Sequence, residues 1–145
     1  MSEGRILGLD YGDKTIGVAV SDPLGLMALG VTTIRRDREN ALRASIRRLG
    51  ELIDEYKIGT IILGYPKNMN NTEGERCAKT RNFQATLAQK FPKVPVELWD
   101  ERLSTAGAKR TLSTGGSHAI DEMAAVFILQ GYMDFTRKEV DTDGV

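Results

Sequence analysis

Apolar and polar positions alternate and cluster along this chain in a way that predicts three strands before any helix. Arg5 to Asp10 reads as a strand, with Ile6, Leu7 and Leu9 as its apolar members. Gly12-Asp13-Lys14 reads as a tight turn, and Ile16 to Ser21 as a second strand. Asp22-Pro23 with Gly25 marks another turn, leading to a third antiparallel strand from Ala28 to Ile34. The period then changes. Leu42, Ile46, Leu49, Ile53 and Tyr56 recur in steps of three and four, which predicts a helix opened by Asp37 with one buried stripe. The charges of RRDREN and RASIRR fall on its other face as solvated groups. Gly59 to Gly64 is continuously apolar, as a strand in the centre of a covered sheet would be.

A loop without apolar periodicity, YPKNMNNTEGE, precedes a second helix from about Gly74 to Phe91, with Phe83, Leu87 and Phe91 inward. Val94 to Trp99 reads as a fifth strand between the exit prolines and Asp100. Ser104 or Thr105 is a natural cap for a short helix ending near Leu112. STGGSH reads as a loop, and a last helix is expected from Ile120 to about Thr136, followed by a frayed tail. The order β-β-β-α-β-α-β-α-α implies an α/β fold: a five-stranded mixed sheet with helices on both faces. That is the ribonuclease H-like arrangement. One domain is expected over residues 1–137, with 138–145 as a flexible tail.

Composition narrows the chemistry. Twenty basic and twenty acidic residues balance, so bulk charge does not announce a nucleic-acid binder. Any polyanion site must be a local patch or a metal. Cys77 is the only cysteine, which rules out an intramolecular disulfide and fits a reducing compartment. With His118 the only histidine, a zinc site rich in His and Cys is nearly excluded, and a histidine-based triad is disfavoured. No signal-like start and no apolar run approaching ~20 residues is found, so a cytoplasmic chain outside the membrane is expected.

Three acidic positions have contexts that charge balance does not explain: Asp10 at the end of the first strand, Glu101 just past the last, and Asp121 at the start of the last helix. A carboxylate in an apolar strand pattern is costly to desolvate unless a cation meets it. Mg²⁺ suits such a cluster, since it takes oxygen ligands and is commonly bound by one or two carboxylates plus substrate phosphate. With no histidine to act as base, water activated by a divalent ion is the most economical nucleophile. Each residue also has a plainer reading. Asp10 could be a turn residue, Glu101 could pair with Arg102, and Asp121 could cap its helix. Asp100 competes with Glu101, although successive residues of an extended chain face opposite ways.

GLDYGDKTIGVAVSD, LGYPKNMNNTEG, WDERLST and IDEMAAVFILQGYMD, taken in order and spacing over nearly the whole chain, resemble the motifs of the YqgF family, described as pre-16S rRNA nucleases or Holliday junction resolvases. The resemblance implies a ribonuclease H-like nuclease using Mg²⁺ or Mn²⁺, with catalytic, metal-holding carboxylates at Asp10, Glu101 and Asp121. It also implies trimming of the 5′ end of the small-subunit rRNA precursor. Cleavage of four-way DNA junctions stands second, and a non-catalytic nucleic-acid- or ribosome-binding module third. A phosphotransferase built on half of an actin-like fold is disfavoured by the short chain. The expected partners are structured RNA (pre-16S rRNA, the pre-ribosome) or branched DNA, and no membrane.

Two departures from the family pattern stand out. No lysine or arginine lies between Leu112 and Asp121, where a basic stretch is usual, and Asn70-Asn71 replaces the common Asp-Gly. Lys14, Asn68, Asn70 and Arg102 are candidate substrate contacts, each with an ordinary surface role as the alternative. Gly8, Gly12 and Gly17 suit close packing and turns. Trp99 and Phe127 read as core, His118 as a loop residue, and Cys77 as a small buried apolar group.

Overall fold

The computed structural model describes residues 4–12, 14–38, 41–65, 75–100 and 117–143, with side chains from Cys77 in the second helix and from Met123 to Thr136 in the last. Five strands, β1 (Arg5–Tyr11), β2 (Thr15–Ser21), β3 (Ala28–Arg35), β4 (Ile58–Tyr65) and β5 (Val96–Asp100), form one sheet in the order β3-β2-β1-β4-β5. The first three are antiparallel neighbours, while β4 joins β1, and β5 joins β4, in parallel. Among the described residues three helices accompany them: α1 (Arg43–Tyr56), α2 (Glu75–Lys90) and α3 (Ser117–Asp143).

Side-chain alternation in the strands sorts the core into two layers. On one face Leu7, Leu9, Ile16, Val18, Ile34, Ile61 and Leu63 pack against Leu49 and Leu52 of α1 and Phe83 and Leu87 of α2. On the other, Ala19, Ala28, Ile62 and Trp99 pack against Ala125, Ile128, Leu129 and Met133 of α3. Each wholly buried leucine contributes about 1.5–3 kcal/mol relative to exposure. Cys77 is buried on α2 and Trp99 is core, its ring meeting Tyr132 and Phe135 edge-on at 5.6 and 5.3 Å. Phe127 is half-buried on α3. Among the described residues no helix is long and apolar enough to cross a membrane.

Four expectations shift. Asp37 does not open α1: the helix begins at Arg43, and Leu42 at its N-cap makes no side-chain capping bond. The preceding charges end β3 and turn the chain instead. The strand expected from Val94 begins at Val96, because the Val94 N–H donates to the Phe91 carbonyl in a turn (3.0 Å). α3 starts at Ser117, so His118 is helical, not in a loop, and Asp121 lies inside the helix where it cannot be its cap. At its other end α3 runs to Asp143, past the expected stop at Thr136. The short helix proposed from Ser104 or Thr105 to Leu112 lies outside the described residues.

Candidate active site at the end of β1

β1 is where the connection pattern divides. The hairpin strands lie on one side of it and the parallel strands on the other. In open α/β sheets such a division leaves a crevice beyond the carboxyl ends of the strands, where ligands bind. Asp10 is the penultimate residue of β1 and is half-buried. Leu9 belongs to the α1/α2 face and Gly8 touches α3, so by alternation Asp10 stands on the α3 face.

Glycine flanks it on both sides. Asp10 pairs with Gly17 of β2, and Gly17 with Thr33 of β3. One step beyond the Leu9–Leu63 pair, the β4 neighbour is Gly64, which pairs in turn with Trp99. The row across the sheet thus reads Thr33, Gly17, Asp10, Gly64, Trp99, and the carboxylate rises between two positions without a side chain. Asp100 pairs with Tyr65 and shares the face of Leu98, opposite that of Asp10. The pleat therefore separates these two aspartates.

The approach of α3 is set by another glycine. A Cβ on Gly8 would lie 2.7 Å from Leu129 Cβ and 3.3 Å from the Ala125 carbonyl oxygen, so only glycine lets the helix come this close. This bears out the expectation that Gly8 serves close packing. From there the helix passes to Gln130, which accepts from the Ala28 N–H (2.8 Å) and donates to the Leu26 carbonyl (3.3 Å). Ala28 pairs with Ser21, whose hydroxyl accepts from the Ile6 N–H near the start of β1. The helix backbone therefore runs against β1. Asp121 is one turn before Ala125, about 6 Å of helix. Asp10 is two residues past Gly8, about 6.6 Å of strand.

A cation holds the turn after Asp10. Arg36 is only 8% exposed; its guanidinium donates to the Gly12 carbonyl (2.6 Å) and lies 4.9 Å from the centre of the Tyr11 ring. Tyr11 in turn stacks on Phe83 of α2 at 4.2 Å. The Gly12 N–H donates to Thr15 O (2.7 Å), and the Arg36 N–H to Lys14 O (2.9 Å). Sequence reading assigns Arg36 to a solvated run. An arginine directly after an apolar strand that would return beside Asp10 is the signal that could have singled it out.

Of the candidate residues, Lys14 is exposed beside this turn. Glu101, Arg102, Asn68 and Asn70 lie outside the described residues, as does the side chain of Asp121. Among the described residues no three His, Cys, Asp or Glu side chains come together to hold a metal ion. The donor that is described fits a hard cation: a half-buried carboxylate at the end of a central strand, with glycine at the adjacent strand positions.

A family model described as "RuvX: Holliday junction resolvase" matches residues 4–135. The chain belongs to that family. Among RuvX relatives, a protein from Agathobacter rectalis named "Putative pre-16S rRNA nuclease" is 52% identical over 137 residues, covering 90% of this chain and 95% of that one. A relative of the same name from Geobacillus sp. is 50% identical over 136 residues, covering 90% and 97%. Solved structures extend the likeness in fold alone. The RuvC protein of T. thermophilus, solved in complex with a Holliday junction substrate, superposes with a TM-score of 0.59 at 12% identity, covering 93% of this chain and 96% of that one. The yeast mitochondrial Holliday junction resolvase Ydc2 gives 0.56 at 11%, covering 94% and 80%. The ribonuclease H-like fold and the family expected from the sequence are thereby established.

Proposed function

We propose that this chain is a divalent-metal-dependent nuclease that hydrolyses phosphodiester bonds in the 5′ maturation of pre-16S rRNA in the cytoplasm. In this reading Asp10, Glu101 and Asp121 are the carboxylates that hold Mg²⁺ or Mn²⁺. The observation that carries it is the place of Asp10: at the end of β1, where the sheet's connections divide, with Gly17 and Gly64 on either side. The opposed run of α3 and β1 supports Asp121 as a second ligand, because the two backbones advance similar distances from the Gly8 contact in the same direction. The position of Asp100 on the far face sets it apart from Asp10, which leaves Glu101 as the carboxylate of that motif in this reading.

A bound divalent ion would supply Lewis-acid stabilisation of the phosphate and a water acidic enough to attack at neutral pH. The chain's own groups do the rest. Asp10 would hold the ion through its carboxylate, and Arg36 braces the turn just past it through the Gly12 carbonyl and the Tyr11 ring. Lys14, Arg102, Asn68 and Asn70 would orient the nucleic-acid backbone, which positions a substrate without reading its sequence. Four-way DNA junctions are the second substrate, favoured by the description of the matching family model.

Asp10→Asn removes the charge at nearly constant shape. Incubated with a pre-16S 5′ fragment and, separately, a four-way DNA junction in Mg²⁺ or Mn²⁺, this variant should cleave about 10²–10³-fold more slowly than wild type. That loss is the scale set by removal of one preorganised electrostatic group. Its melting temperature should stay near wild type. Undiminished cleavage takes Asp10 out of the chemistry, and the preferred substrate decides between RNA and DNA.

A further inference from the structure

We infer that the arginine-rich passage from the end of β3 into the first turns of α1 is the polyanion-binding rim of this protein, with Arg35, Arg38, Arg43 and Arg47 receiving the phosphates of a nucleic-acid strand. The inference deepens the nuclease reading and rests on it. It answers a specific deficit, because the chain has no lysine or arginine between Leu112 and Asp121.

Charge is concentrated here. Residues 35–48 hold six arginines against Asp37 and Glu39, so the rest of a neutral chain carries four more acidic than basic residues. Arg36 is buried on Tyr11 and Gly12, and Arg48 pairs with Glu51 at 3.0 Å on the surface. Arg35, Arg38, Arg43 and Arg47 are exposed. A local basic patch on a neutral protein is the electrostatic footprint that backbone recognition needs.

The patch lies at the right end of the sheet. Arg35 pairs with Thr15, and the Arg36 N–H reaches Lys14 O, so β3 finishes beside the turn that follows Asp10. The row Asp10, Gly17, Thr33 fixes the face, and Arg35, two residues past Thr33, shares it. Two strand spacings across and two residues along put the Arg35 backbone about 12 Å from that of Asp10. This is three to four steps of a duplex strand at about 3.4 Å each. α1 starts at this same end, because β4, which follows it, begins alongside Arg5; it covers the opposite face, so its arginines flank the edge of the sheet from the other side.

The start of α1 also breaks the rules of a helix stabilised for its own sake. Arg43 opens it, no acidic residue stands in the first turn, and Leu42 supplies no capping bond. Cations at a helix N-terminus oppose its dipole, whereas an anion there would meet arginines and dipole together. Local rules broken without a structural gain mark places kept for function.

The test is binding by fluorescence anisotropy without divalent ions, so that nothing is cut. The probes are a hairpin RNA with a single-stranded 5′ extension and a four-way DNA junction. Arg38→Gln/Arg43→Gln/Arg47→Gln should bind at least about tenfold more weakly. Its plot of log affinity against log salt should flatten by about two units, at about 0.7–0.9 per lost contact. The triple lysine variant should keep the wild-type slope. Lys90→Gln/Lys93→Gln, exposed at the far end of α2, should change neither quantity. A triple glutamine variant with the wild-type slope overturns the rim, as does a lysine variant that fails like the glutamine one. Undiminished cleavage by Asp10→Asn would instead overturn the catalytic reading, leaving the slopes to decide the rim on their own.

Discussion

Arg36 shows how one buried side chain can brace the strand end that carries a candidate ligand, Asp10. Its guanidinium bonds the Gly12 carbonyl and covers Tyr11, whose ring rests on Phe83, so the residues on the far side of Asp10 are held from three directions. Arg36→Met keeps an apolar stem over the ring but leaves that carbonyl without its charged donor. We expect a loss of about 2 kcal/mol in urea unfolding, and a cleavage rate that falls more at limiting than at saturating Mg²⁺. A rate reduced equally at both would assign Arg36 to stability alone. Asp22 poses a simpler question. Its carboxylate accepts from the Leu26 N–H (2.7 Å) and the Met27 N–H (3.3 Å), and the Leu26 bond is the main reason its pKa is lowered. A carboxyl whose folded pKa is depressed stabilises the fold above its unfolded pKa, and that gain fades as pH falls through the folded value. Asp22→Ala should therefore melt below wild type at pH 7, with the gap closing below about pH 4. Asp22→Asn, which keeps an acceptor, should fall between them.

At the scale of elements, the meeting of β1 and α3 matters most. Gly8→Ala would press a methyl onto Leu129 Cβ, which is backed by the buried Ala125 and Ile128. Overpacking of this kind costs about 1–3 kcal/mol. We expect a lower melting temperature together with a drop in cleavage larger than the unfolded fraction explains, since a helix pushed outward takes Asp121 with it. Restored activity in Gly8→Ala/Leu129→Ala would show that the distance between the two elements is what counts. The strands themselves were legible because alternation and turn residues agree with the sheet they enter. The helix boundaries were less so. The first turn of α3 has no apolar periodicity to announce it, and the start of α1 is delayed by the tertiary contacts of Arg36, which no local pattern encodes.

For the molecule as a whole, the order of elements sufficed for the architecture, because three hairpin strands followed by α/β units leave few ways to build one sheet. The candidate site was legible only in part. Asp10 could be chosen from its discord with an apolar strand, but its glycine neighbours come from β2 and β4, and only pairing brings them beside it. The arginines of residues 35–48 read as a solvated helix face until the fold sets them at the end of the sheet occupied by Asp10. The close covering of Gly8 by Leu129 has one more consequence. A ribosome making this chain releases the hairpin strands and β4 long before the helix that shields their second face. Until then Ala19, Ala28 and Ile62 have no cover, so the apolar second face of the sheet stays open to water and to other chains for as long as the last helix is unmade.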